Sequence, residues 1–161
     1  MAGATHKADL VHENFAPQHT PEVPPGDELW VEIRSPDGQI WSGIAESVVV
    51  PASKGSMGIL PKHAPLMSSM EVGLTKVREP DKTEHRFVTG GGFVEVNGNR
   101  VLLLVDFGDR PEEIDTVRAE RARERARERL RTRQEQMDRT RADAALQRAV
   151  QRLMHAGKPQ I

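Results

Sequence analysis

Apolar and polar residues alternate in short runs through the first two thirds of the chain. Leu29, Val31 and Ile33 alternate with Trp30, Glu32 and Arg34, the period-two pattern of a strand with one buried face. Ser35-Pro36-Asp37-Gly38 then supplies turn chemistry. Val48-Val49-Val50 runs up to Pro51, and Gly92-Phe93-Val94-Glu95-Val96 leads into Asn97-Gly98 before the apolar run Val101 to Val105. Asn-Gly between two apolar runs signals a hairpin, because both residues tolerate positive φ. Short strands at regular spacing, with no helical period between them, predict an antiparallel sandwich or barrel over residues 27–110.

The period changes after Asp106. Asp109-Arg110-Pro111-Glu112 reads as a helix start, with an N-cap carboxylate and Pro in the first turn. From there to Gly157 the chain is rich in Ala, Arg, Glu and Leu, and Gly157 with Pro159 forms a stop signal. The stretch is too long for one helix in so small a domain. Gln134 to Asp138 interrupts the apolar stripe, with Asp138 as a second N-cap. The expected fold is therefore an all-β N-terminal sandwich (27–110) followed by an α-helical antiparallel hairpin (111–157). A polar arm (1–26) precedes them and a short tail (158–161) follows. The arm ends in Pro21, Pro24, Pro25 and Gly26, carries too little apolar surface to order itself, and is expected to be flexible.

At about 100° per residue, Ala119, Ala122, Ala126 and Leu130 form one stripe, and Ala142, Leu146, Ala149 and Leu153 another. Small residues allow a close helix–helix approach but bury little area, so the hairpin should be loosely held and able to rearrange. Arg118, Arg121, Arg125 and Arg129 run beside the first stripe, and Arg141, Arg148 and Arg152 beside the second. Folded back about Gln136, the hairpin would gather these arginines on one face, with Glu120, Glu124, Glu128 and Asp143 on the other flank. Like charges at this spacing repel. Such a face splays into solvent, pairs with an acidic protein, or holds a polyanion such as a nucleotide phosphate chain. A solvated surface laced by pairs such as Glu124–Arg127 is the plain alternative.

Charge sharpens the division. Residues 1–111 hold ten Lys and Arg against fifteen Asp and Glu, whereas 112–156 hold twelve Arg against nine acids. The arginines raise a rival reading, a stand-alone module whose basic hairpin grips nucleic acid. No aromatic residue lies in 112–156 for base stacking, and the whole chain is near neutral, so nucleic acid is not expected as a partner. With no cysteine there are no disulfides or thiolate metal sites. His6, His12 and His19 are irregularly spaced and have no companion ligands. Gly90-Gly91-Gly92 lacks the Lys-Ser/Thr of a phosphate loop and reads as strand bending. His63 and His85 have no nucleophile arrangement, so a small enzyme is disfavoured. No apolar run approaches the roughly 20 residues of a membrane span, and the N-terminus has neither a signal core nor transit-peptide character. A soluble cytoplasmic protein is expected.

Three ordered stretches resemble the epsilon subunit of bacterial F-type ATP synthases. They are Gly58-Ile59-Leu60-Pro61-Lys62-His63-Ala64-Pro65-Leu66 with Gly73, then Gly91 to Val96 with Val101 to Asp106, and Glu113-Ile114-Asp115-Thr116-Val117-Arg118-Ala119. The resemblance spans residues 28–157. It implies a roughly ten-stranded sandwich, a mobile helical hairpin and no catalysis by the chain itself. It implies a seat on the central stalk against the gamma subunit and the c-ring, at the cytoplasmic face of the bacterial inner membrane, without membrane insertion. The c-ring contact would fall on Ser56, Met57, Lys62 and His63. Ser56 stands where relatives often carry an acidic residue, leaving Lys62 and His63 as the polar contacts. Some bacterial members bind ATP through Ile/Leu-Asp-x-x-Arg-Ala plus later arginines. That pattern is matched by Ile114, Asp115, Arg118 and Ala119, followed by Arg125, Arg148 and Arg152. The resemblance thus implies no required cofactor, with ATP as a regulatory ligand. When extended, the family hairpin blocks hydrolytic rotation, its arginines meeting acidic residues of the catalytic beta subunit.

Overall fold

A computed structural model describes residues 26–132 and 136–157; the arm lies outside the described residues except for Gly26, as does the tail. The alternation at the start of the chain builds β1 (Leu29–Ser35), in which Leu29, Val31 and Ile33 are fully buried. The remaining strands are β2 (Gly38–Ala45), β3 (Ser47–Ala52), β4 (Gly55–Ile59), β5 (Leu66–Met70), β6 (Gly73–Arg78), β7 (Glu84–Thr89), β8 (Gly92–Asn97), β9 (Arg100–Val105) and β10 (Gly108–Asp109). They form two five-stranded sheets, ordered β2-β1-β9-β8-β5 and β10-β7-β6-β3-β4. The result is a sandwich rather than a closed barrel. One core cluster fills it, with Phe87 its largest fully buried side chain and no member from the helices.

Three local expectations are corrected. The sheets are not wholly antiparallel: β1 runs parallel to β9, Trp30 opposite Arg100 through Arg34 opposite Leu104. The strand beginning at Val48 does not stop at Pro51. Pro51 and Ala52 continue it against Ser56 and Gly55 of β4, beyond the three pairs that join β3 to β6, where a missing N–H costs least. The β8–β9 turn lies one residue later than expected, on Gly98-Asn99, with positive φ at Gly98 only, as in a type II′ turn. The triple glycine bends the chain between sheets, as read. A Cβ on Gly92 would lie 2.0 Å from the Leu104 carbonyl oxygen.

The helical half differs from expectation at its caps. Pro111–Glu113 forms a single 3₁₀ turn, and the first long helix, α1 (Thr116–Arg131), starts after it. The N-cap is Asp115, whose Oδ1 accepts from the Arg118 N–H at 2.9 Å. Asp109 is not the cap; it lies in β10 and its carboxylate is used elsewhere. The second helix, α2 (Gln136–His155), already includes Gln136 and Asp138, so neither is the turn centre or the cap. The alanine seam forms as expected: Ala119, Ala126, Ala142 and Ala149 are buried where the helices meet.

Helix α2 also rests on β6 and β7. Along β7 the side chains alternate, Phe87 and Thr89 belonging to the inward face. Val88, fully buried yet outside the core cluster, faces the other way, toward the hairpin. The hairpin therefore has a hydrophobic footing of its own on the second sheet.

Candidate functional site

The 3₁₀ turn and Asp115 cap bring Ile114 and Asp115 to the start of α1. The antiparallel return of α2 lays Arg148 and Arg152 beside them. A concave cavity of about 430 Å³ opens there, large enough for a small ligand. All seven residues singled out for nucleotide binding line it: Ile114, Asp115, Arg118, Ala119, Arg125, Arg148 and Arg152. Asp109, Glu113, Ala122, Ala145 and Ala149 complete the wall. Its wall combines the alanines of the seam, Ala119 and Ala149 buried among them, with the four arginines. Arg121, Arg129 and Arg141, from the same predicted rows, are exposed and do not line the cavity.

The four cavity arginines are not equivalent. Arg118, Arg125 and Arg148 make no ion pair among the described residues. Arg152 is engaged: its Nε donates to Asp109 Oδ2 at 2.6 Å, and its guanidinium carbon sits 4.0 Å from the Phe107 ring centroid. The arginine face is thus less uncompensated than sequence geometry suggested, because Asp109 reaches it from the sandwich. The solvated alternative holds for the opposite flank, where Arg123 pairs with Glu120 and Glu124, Arg127 with Glu124, and Arg131 with Glu128. Asp115 carries two demands, since one carboxylate oxygen is committed to capping α1 while the residue also lines the cavity.

The second predicted site, Ser56, Met57, Lys62 and His63, is not one loop. Ser56 and Met57 are consecutive residues of β4, Ser56 exposed and Met57 packed partly against the core. Lys62 and His63 lie in the connection after Leu60, beyond the opposite end of that strand. Lys62 adopts φ 65°, its N–H donating to Asn99 Oδ1 at 2.8 Å and its Nζ to Asp27 at 2.6 Å. That hydrogen bond, with the charge of Asp27, holds the ammonium above its ordinary pKa and Asp27 below its own. The His63 ring is hydrogen-bonded through Nδ1 to the Ala64 carbonyl oxygen at 2.8 Å.

Sequence reasoning missed one surface. Phe93 of β8 stands opposite Leu104 of β9, with Met67 diagonally across on β5. All three point away from the core, with 57%, 49% and 71% of their surface exposed. The signal was present in Val101 to Val105, a run apolar at every position, as for a strand covered on both faces.

Comparison with known proteins bears directly on both halves. The ATP synthase delta/epsilon chain β-sandwich domain matches residues 28–110, and the long α-helix domain of the same chain matches residues 112–157. The chain belongs to the ATP synthase delta/epsilon family. Its relatives include the ATP synthase epsilon chain of Moorella thermoacetica, 42% identical over 129 residues that span 80% of this chain and 96% of that one. The epsilon chain of Desulfitobacterium hafniense is 45% identical over 123 residues, 76% and 92% of the two chains. The same fold occurs in a chain of the Euglena gracilis mitochondrial ATP synthase assembly of OSCP, F1 and c-ring, at TM-score 0.66 and 21% identity, covering 81% of each chain. Among the described residues, no helix is long and apolar enough to cross a membrane.

Proposed function

We propose that this member of the family is a non-catalytic rotor subunit of a bacterial F-type ATP synthase. It sits on the central stalk at the cytoplasmic face of the inner membrane, couples the gamma subunit to the c-ring, and restrains ATP hydrolysis through its hairpin. The kinship with bacterial epsilon chains over nearly their full length supports the assembly. We assign the apolar row of Met67, Phe93 and Leu104 to the gamma contact, because its exposure calls for a partner. The c-ring contact we assign to Ser56 and Met57 on β4 and to Lys62 and His63 beyond its far end, the Lys62 charge shared with Asp27.

The hairpin is the regulatory element, and ATP is its ligand. The observation that carries this is the convergence of Arg118, Arg125 and Arg148, unpaired among the described residues, on one cavity walled in part by alanines. Triphosphate oxygens would take the arginines, and the base would lie against Ile114 and Asp115. Charge-assisted hydrogen bonds of this kind are each worth roughly 1.5–3 kcal/mol, and those made only in the folded hairpin would favour it over an extended form whose arginines meet the acidic beta subunit. ATP can shift that balance only by its differential affinity for the two forms.

Two measurements test the proposal. Calorimetry on the isolated chain should show ATP binding that is abolished in R118A/R125A; no heat and no thermal shift at millimolar ATP would remove the nucleotide role. A reconstituted synthase carrying the chain truncated after Arg110 should hydrolyse ATP faster than the complete complex. Equal rates with and without ATP preincubation and a proton gradient would remove the restraining role.

A further inference from the structure

Arg152 lies in the last turn of α2, and from the cavity wall its side chain meets the segment that joins sandwich to hairpin. Asp109 of β10 accepts from its Nε, and Phe107, two residues earlier, presents a ring face to its guanidinium. Five residues on, the Gly157 N–H donates to the Pro111 carbonyl oxygen at 2.9 Å. The far end of α2 is thereby tied to residues 107–111, where the helical unit begins. The contact closes a loop spanning 43 positions. Between the two helices the buried seam is alanine, which contributes little area, and α2 also rests on β6 and β7.

We propose that Phe107 and Asp109 form a clasp on Arg152 that keeps the hairpin folded onto the sandwich when no ligand is bound. The clasp joins a charge-assisted hydrogen bond to a cation–π contact, at side chains that keep 31% and 35% of their surface. Release of Arg152 is then the first step of opening, and it frees the guanidinium for another partner. The clasp needs no nucleotide, so its test is independent of whether the cavity binds one.

The absence of native cysteine makes the test direct. Cysteines placed at Lys54 and Gln147, both exposed, carry spin labels on the full chain, and the distance distribution between them is measured without nucleotide. D109N and R152Q should each add a long-distance population, lowering the closed-to-open ratio about fivefold, as expected for a partly exposed pair. The double variant D109N/R152Q should open no further than either single one. The charge swap D109R/R152D should recover part of the closed population that R152D alone loses, a rescue that general loosening would not produce. Wild-type distributions in both D109N and R152Q, or a swap no more closed than R152D, would overturn the clasp.

Discussion

Val88 offers a sharp test of how the two halves are joined. It is fully buried, yet it faces the hairpin and belongs to no part of the sandwich core. Val88→Ala removes the equivalent of two methylene groups, about 1.6 kcal/mol of transfer free energy. A partial cavity under α2 raises the cost to about 2 kcal/mol. The loss should fall on hairpin docking alone. Two probes separate the halves. Trp30 and Trp41, the two tryptophans of the chain, both lie in the sandwich, on β1 and β2, whereas ellipticity at 222 nm follows α1 and α2. In urea, with a slope on the order of 1 kcal/mol per molar for so small a unit, the helical transition should move about 1–2 M lower. The tryptophan transition should stay in place. If both transitions moved together by the same amount, Val88 would be a core residue and the hairpin would have no separate footing.

Other substitutions probe single contacts. Asp115→Ala removes the α1 cap and should cost the helical transition about 1 kcal/mol, with Asp115→Asn retaining most of it in the same melt. Gly92→Ala places a methyl into the Leu104 carbonyl; it should prevent the sandwich from reaching its native tryptophan emission, whereas Gly58→Ala, with open space around it, should fold normally. Glu84, hydrogen-bonded to Arg86 and then Arg78, is held below its ordinary pKa of 4.5. A depressed folded pKa gives stability that is complete above that ordinary value and is lost as pH falls below it. Acid titration of the melting temperature should therefore be shallower in Glu84→Gln than in the wild type, and parallel slopes would sink the assignment.

The sandwich was legible because several of its strands alternate between one buried and one wetter face. Leu29, Val31 and Ile33 announce their burial by alternation, and the turns carry Gly and Pro where the backbone demands them. The parallel pairing of β1 with β9 was not legible, because register between strands 70 positions apart depends on the shape of the closed sheet rather than on either strand alone. Helical periodicity placed Arg118, Arg125, Arg148 and Arg152 on the cavity's face, together with Arg121, Arg129 and Arg141 that do not line it, whereas Ile114, Asp115 and Ala119 followed as site residues only from the family resemblance. The partner of Arg152 did not follow, because Asp109 belongs to the sandwich and no helical count reaches it. Its position, three residues before Glu112, made it look like a cap. The 3₁₀ turn at Pro111 moved the helix start to Asp115 and left the Asp109 carboxylate free to cross to α2.

The parallel seam between β1 and β9 also fixes an order of events. The first strand among the described residues needs the ninth as its neighbour, so β1 and β2 wait as an isolated ribbon, which is marginal in water by itself. The Asn99 amide, which donates to the Gly26 carbonyl and accepts from the Lys62 N–H, also joins the fold only after the β8–β9 turn has emerged. Long-range closure of this kind is slow. It nevertheless becomes possible as soon as residue 109 is outside, before any helical residue is needed. The helices are then delivered onto a finished β platform, and a nascent chain stalled before Pro111 already contains everything its hydrophobic core requires.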